Sequence, residues 1–224
     1  MLREFKDRPA DLGLINILVE ELIGQKEYQA ALRLARCGLQ LGLSAFPADV
    51  VAKNLELDWA HHQNRPFLSL KGNETLLLWE EFDEYKEAFA GALQLLQWNP
   101  SDNQGFREEA LGMALHLDEL DKAGEIVSNY KDDYSVGFLY NRILYLLNTD
   151  RPDEAHDLLV DIVEDYPLVR DQLLDPHVID PDQDEIEMGG AMVGGEYEAY
   201  LYGTRWGYLW WDNPQAIQLL KTVE

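Results

Sequence analysis

The sequence predicts an all-α fold, built from helical hairpins that stack on one another and end in an aromatic C-terminal segment. Three observations support this prediction. Apolar residues recur at helical spacing, as at Leu14, Leu18 and Leu22. Glycine and proline divide these stretches into segments of helix length. Small residues recur at matching places in successive segments, as the close packing of paired helices requires.

Eleven helices are predicted from the periodicity and from the residues that begin and end each one. Pro47 opens the third, because a proline at the first helical position sacrifices no hydrogen bond. Gly72-Asn73 is a weak point inside the fourth, where that helix could split. In chain order the predicted helices are 11–24, 27–41, 48–61, 66–82, 83–98, 102–117, 121–130, 135–147, 151–165, 196–211 and 215–222.

An internal repeat relates four pairs of these helices. The second helix of each pair has an alanine at the same place, at Ala31, Ala88, Ala123 and Ala155, with separations of 57, 35 and 32 residues. The last two are close to the period of about 34 residues that is typical of tetratricopeptide repeats, and the first is longer because it contains helix 48–61. A larger apolar residue faces each alanine from the first helix of its pair; these are Val19, Leu76, Leu111 and Ile143.

The predicted organisation has three parts. Residues 1–167 form tetratricopeptide-like repeats, 168–195 an acidic loop rich in proline and glycine, and 196–224 a helical cap packed on the array. Asp180, Asp182 and Asp184 alternate as at the start of a calcium loop. However, Glu185 and Ala191 stand where such a loop needs glycine and glutamate. The loop, over 175–187, therefore offers a solvated acidic surface with no dedicated metal site, and whether it contacts a cation or a basic protein stays open.

A polar junction at 98–107 separates the second and third pairs. Ser101 with Gln104 has the form of a capping box, so the sequence predicts that a helix begins there. Asp102 is expected to accept hydrogen bonds from free amides and Arg107 to pair with a carboxylate. Together with Asn103, these residues form a predicted structural junction rather than a site of chemistry.

Four segments of the chain form a recognisable set. They are Asn64-Arg65-Pro66-Phe67, Asn99-Pro100-Ser101-Asp102-Asn103-Gln104-Gly105-Phe106-Arg107, Asp175-Pro176-His177-Val178 and Trp211 with Pro214-Gln215-Ala216-Ile217. This set resembles bacterial tetratricopeptide-like proteins with an N-P-x-D-N-Q-G-x-R junction, and the junction is similar to that of the suppression-of-tumorigenicity-seven family. The resemblance covers roughly residue 64 to the C-terminus and implies a helical-repeat fold with no established chemistry, so it supplies no catalytic residue.

Arrays of this kind bind peptides in a groove lined by the first helix of each pair. In the register set by the alanines, the candidate groove residues are polar or aromatic, which favours a basic or polar peptide. The alternative is a set of solvated helix faces without a ligand. The candidates are Asn16, Glu20, Asn73, Glu108, Tyr140 and Asn141.

Composition limits the possible partners. The 42 acidic and 18 basic residues give a formal net charge of −24, which repels nucleic acid and anionic membrane surfaces. This charge either serves only to keep the protein soluble or attracts basic proteins. Cys37 is the single cysteine, so an intrachain disulfide and a cysteine zinc cluster are both excluded. Its apolar helix face predicts a buried structural thiol. We expect no cofactor and no metal site, no signal peptide, and a cytoplasmic protein.

The function predicted from the sequence is a protein–protein interaction or adaptor module without catalysis, with self-association possible. Two alternatives stay open. One is a metal-dependent or other accessory enzyme that uses the acidic loop and the aromatic C-terminus. The other is a secretion-type chaperone for a basic client.

Overall fold

The computed structural model describes residues 11–46, 56–179 and 193–223. Within these ranges the chain forms eleven helices and no strand, which confirms the predicted all-α fold. We number the helices α1 Leu12–Gly24, α2 Tyr28–Ser44, α3 Arg65–Glu80, α4 Tyr85–Trp98, α5 Phe106–His116, α6 Leu120–Asn129, α7 Val136–Asn148, α8 Pro152–Val163, α9 Pro167–Leu174, α10 Glu196–Trp211 and α11 Pro214–Leu220.

The chain divides into two compact units, Met1–Ala110 and Leu111–Glu224. In the N-terminal unit, α1 pairs with α2 and α3 pairs with α4, and α3 also packs against both helices of the first hairpin. This arrangement is the stacking expected of a helical hairpin array. Gly38 of α2 permits the close approach, because a Cβ there would lie 2.8 Å from Leu70 and 2.9 Å from Ile15.

The C-terminal unit is organised around α7, which contacts α6, α8, α10 and α11. The aromatic side chains of α10 form its core: Trp206 and Trp210 are completely buried. The Trp206 ring lies against Gly112 of α5, where a Cβ would come within 2.5 Å of the ring. The aromatic C-terminal helices therefore cap the preceding hairpin, as predicted.

The recurring alanines occupy the helix contacts that the repeat requires. Ala31, Ala88, Ala123 and Ala155 have no solvent-exposed surface. Three of the four facing apolar residues are equally buried, and the fourth, Leu76, is partly exposed. The small residues thus allow the second helix of each hairpin to approach its neighbours closely, in both units.

A second repeat, in the backbone, was not evident from the sequence. Five residues before each alanine lies a non-glycine residue with a left-handed conformation: Lys26, Asp83, Asp118 and Asp150, with φ between 54° and 60°. After α1, the N–H of Lys26 donates to the carbonyl of Ile23 and the next N–H donates five residues back, to Leu22. The same pair of bonds follows α5 and α7, and it is the Schellman ending of a helix.

Four details of the sequence prediction are wrong. Residues 167–174 form α9 where a loop was predicted, because Pro167 starts the helix and Val169 and Leu173 bury one face. Residues 56–61 of the predicted helix 48–61 are not helical, and 47–55 lie outside the described residues. Gly72 does not split α3, since it packs against the ring of Phe106. Cys37 is exposed rather than buried.

Residues 180–192 of the predicted acidic loop, which include the three alternating aspartates, lie outside the described residues. Among the residues that are described, no helix is both long and apolar enough to cross a membrane.

Candidate functional site

Asp102 sets the start of α5 at the polar junction. Its buried carboxylate accepts hydrogen bonds from the backbone N–H groups of Phe106 and Arg107, both at 2.8 Å, and from the Arg107 guanidinium at 3.0 Å. Burial raises the pKa of Asp102, against the opposing effect of these donors. The expected roles of Asp102 and Arg107 are therefore confirmed.

The predicted capping box at Ser101 is wrong. The helix begins at Phe106, and Gly105, with φ +80°, provides the turn that brings the chain to that start. The Ser101 hydroxyl instead lies 2.9 Å from the side-chain carbonyl oxygens of both Asn99 and Asn103. Gln104 packs beside Gly72 of α3. All of these contacts fix the chain between α4 and α5. The Asp102 carboxylate is buried and already accepts three hydrogen bonds, so it is not available to a ligand.

Three of the predicted groove residues meet in the N-terminal unit. The Asn73 amide of α3 donates to the Asn16 carbonyl oxygen of α1 at 3.1 Å, and the Asn16 amide donates to the Glu20 carboxylate at 2.7 Å. Glu20 is exposed, and the two asparagines are partly exposed. We call this set the amide row (Asn16, Glu20, Asn73). It joins the first helices of two successive hairpins through groups that water can reach.

The equivalent positions in the C-terminal unit are closed, which corrects the prediction for Tyr140 and Asn141. Both are completely buried. The Tyr140 hydroxyl donates to the backbone carbonyl of Tyr166, and burial raises its pKa far above the usual range. The Asn141 carbonyl oxygen accepts from the Tyr202 hydroxyl at 2.9 Å, which in turn accepts from the Trp210 indole at 2.8 Å.

The physical reason for this closure is that α10 packs on α7 and covers the face that would otherwise be open. The sequence shows that the C-terminus is aromatic but does not show which face it covers. Glu108, the remaining groove candidate, is partly exposed on α5.

An ionic network in the N-terminal unit was not evident from the sequence. Glu74 of α3 is 7% exposed and accepts from Arg36 of α2 at 3.0 Å and from Lys71 at 2.8 Å. Arg36 also donates to Glu87 of α4 at 2.6 Å. The one sign in the sequence was an acidic residue on an otherwise apolar side of its helix, beside Leu70, Leu77 and Leu78.

A histidine–tyrosine pair lies in the C-terminal unit. The Nδ1 atom of His116 is 2.9 Å from the Tyr208 hydroxyl, and burial lowers the pKa of His116, so the ring is mainly neutral at neutral pH. Nowhere in the described ranges do three or more His, Cys, Asp or Glu side chains come together in a way that could hold a metal ion.

Comparison of the chain with protein-family models, curated proteins and solved structures found no match.

Proposed function

We propose that this chain is a cytoplasmic binding module for a polar or basic protein segment, with no catalysis of its own. The observation that carries the proposal is the amide row, which joins the exposed sides of α1 and α3 by hydrogen bonds. In the N-terminal unit the stacked hairpins leave part of their first helices, α1 and α3, exposed. This supports the resemblance to tetratricopeptide-like proteins, which bind peptides along those helices.

The chemistry of the amide row suits an extended peptide. Its internal hydrogen bonds use only one N–H of each asparagine amide, so each amide retains a second N–H. The Asn73 carbonyl and the second oxygen of Glu20 remain as acceptors. A peptide backbone can bond to both kinds of group, and a lysine or arginine side chain can reach the Glu20 carboxylate. The net charge of −24 speeds the approach of a basic segment.

The proposal is tested by selecting a displayed random-peptide library on the immobilised full-length chain. The selected peptides are then measured against the wild type and against the double variant Asn16→Ala with Asn73→Ala. We expect selection of lysine- or arginine-containing peptides, and about tenfold weaker binding to the double variant, because losing one or two hydrogen bonds of about 1 kcal/mol each has that effect.

The matched control is Gln29→Ala, which removes an exposed amide from α2 without touching the amide row. Circular dichroism establishes that all three proteins have the same helix content and Tm. Selection of no peptide, or equal binding to the wild type and the double variant, would reject the amide row as the binding surface.

A further inference from the structure

A cleft in the N-terminal unit lies beside the ionic network, and none of its residues belongs to the amide row. Its volume is about 260 Å³, and residues of α2, α3 and α4 line it. Leu39, Leu43 and Trp98 form the apolar part of the lining, whereas Arg36, Lys71 and Glu74 form the charged part. Ligand pockets commonly combine these two features, a largely apolar lining and a few polar groups held in place.

The charged part of the lining is held rigidly. Glu74 uses both carboxylate oxygens, one for Arg36 and one for Lys71. Its side chain is 9% exposed, and that of Lys71 is 13% exposed. A buried ion pair contributes little net stability, because desolvation of the charges offsets their attraction. Stability alone therefore does not account for placing the Lys71–Glu74 pair in this packed region, beside the partly exposed Arg36.

The donors of the two cations are largely unused. Arginine has five N–H groups and lysine has three, and the hydrogen bonds to Glu74 and Glu87 use only three of them in total. Each oxygen of Glu74 already accepts from a cation, and the unused N–H groups of Arg36 and Lys71 are donors that this wall offers to a ligand. The lining contains two cations and one acid, whereas acids outnumber cations by 42 to 18 in the whole chain.

We propose that this cleft binds an organic anion that has a carboxylate head and an apolar body. The carboxylate lies at Arg36 and Lys71, because hydrogen bonds between charged groups are shorter and stronger than those between neutral groups. The apolar body lies on Leu39, Leu43 and the Trp98 ring. A volume of about 260 Å³ fits one aromatic ring or a short alkyl chain. The occupant is therefore a small free acid or the C-terminal residue of a peptide, since both present the same chemistry.

The test is an NMR titration of the uniformly ¹⁵N-labelled full chain with 4-phenylbutyrate. The uncharged control ligand is 4-phenylbutyramide, which has the same body without the charge. We expect saturable shifts of residues in α2, α3 and α4, including the indole N–H of Trp98, identified by its loss in Trp98→Phe. The dissociation constant should be on the order of 1 mM or lower for a ligand of this size.

Two variants remove a cation from the cleft, Arg36→Gln and Lys71→Gln. Each should weaken binding of the acid about tenfold, because each removes charge-assisted hydrogen bonds. The matched control is Arg33→Gln, an exposed arginine on the same helix that does not line the cleft; it should change binding less than twofold. The ¹⁵N spectrum and the Tm of each variant establish that it folds.

A peptide arm separates the two sources of the carboxylate. Acetyl-Gly-Phe with a free C-terminus is compared with its C-terminal amide. Tighter binding of the free-acid peptide than of 4-phenylbutyrate assigns the site to a peptide end, and the reverse assigns it to a free acid.

Three results would overturn the proposal. The first is the absence of any chemical shift change with up to about 10 mM of 4-phenylbutyrate or of the free-acid peptide. The second is equal binding of 4-phenylbutyrate and 4-phenylbutyramide. The third is that Arg36→Gln and Lys71→Gln both bind the acid as the wild type does. Since the cleft and the amide row share no residue, this titration and the peptide selection fail or succeed independently.

Discussion

At the scale of single residues, Asp102 shows how one side chain sets a helix boundary. Its two carboxylate oxygens accept the N–H groups of Phe106 and Arg107, which are among the amides that the first turn of a helix leaves without a partner. Arg107 then bonds back to the same carboxylate through its guanidinium. The side chain thus replaces the capping box that the sequence suggested at Ser101.

We expect Asp102→Asn to lower the free energy of unfolding by about 2 kcal/mol. An asparagine turns an NH₂ group toward one of the two backbone N–H donors, which leaves that buried donor unsatisfied. It also removes the charge that pairs with the partly exposed Arg107 guanidinium. Urea unfolding followed by circular dichroism measures the loss. The control is Asp121→Asn, an exposed acid in the first turn of α6, for which the loss should stay below about 1 kcal/mol. Equal losses in the two variants would contradict the role given to Asp102.

At the scale of the helices, the sequence predicted most of the elements because their packing follows from local patterns. Apolar spacing and proline positions placed ten of the eleven helices near their observed ranges. The alanine register identified residues that are all fully buried. The helix that was missed, α9, has only eight residues and begins at a proline, so it offered too few turns for a periodic pattern.

The predicted groove was less predictable than the helices. The register correctly placed Asn16 and Asn73 on neighbouring helices. It could not show that Tyr140 and Asn141 are covered, because that depends on the distant α10. The network around Glu74 was equally inaccessible, since its four residues lie on three helices and only Lys71 and Glu74 are close in the sequence. Contacts within one helix pair follow from sequence spacing, whereas contacts made by far-separated segments do not.

The hairpin turns supply the prediction at this scale. Lys26 has φ +60° in the turn between α1 and α2, a conformation that suits glycine better than lysine. We therefore expect Lys26→Gly to raise the free energy of unfolding by about 0.5–1 kcal/mol, since relief of backbone strain exceeds the added flexibility of the unfolded chain. Thermal and urea unfolding measure the change.

The same substitution elsewhere provides the control for this turn. Lys86 is exposed and is the second residue of α4, in its first turn. Lys86→Gly should lower the free energy of unfolding by up to about 1 kcal/mol, because glycine is a poor helix former. Effects of opposite sign support the repeated left-handed turn. A loss of stability in Lys26→Gly would show that the turn does not favour glycine.

At the scale of the whole molecule, charge is distributed unevenly along the chain. Residues 1–110 contain 18 acidic and 11 basic residues, whereas residues 111–224 contain 24 acidic and 7 basic residues. Most of the excess negative charge therefore belongs to the half of the chain that contains the buried groove candidates Tyr140 and Asn141. The half that contains the amide row and the cleft is closer to neutral, so its local charges, such as Arg36 and Lys71, have more influence on which ligand it accepts.

This excess charge predicts that salt stabilises the protein. Like charges repel one another more strongly in the compact state than in the unfolded chain, so screening them favours folding. The screening length falls to about 10 Å at 0.1 M and about 8 Å at 0.15 M. We expect the urea midpoint to rise between about 20 and 200 mM NaCl and to change little above that, with a gain on the order of 1 kcal/mol. Urea is used because it is uncharged and adds no screening of its own. A midpoint that falls with added NaCl would mean that specific ion pairs, and not the net charge, dominate the electrostatics of the folded chain.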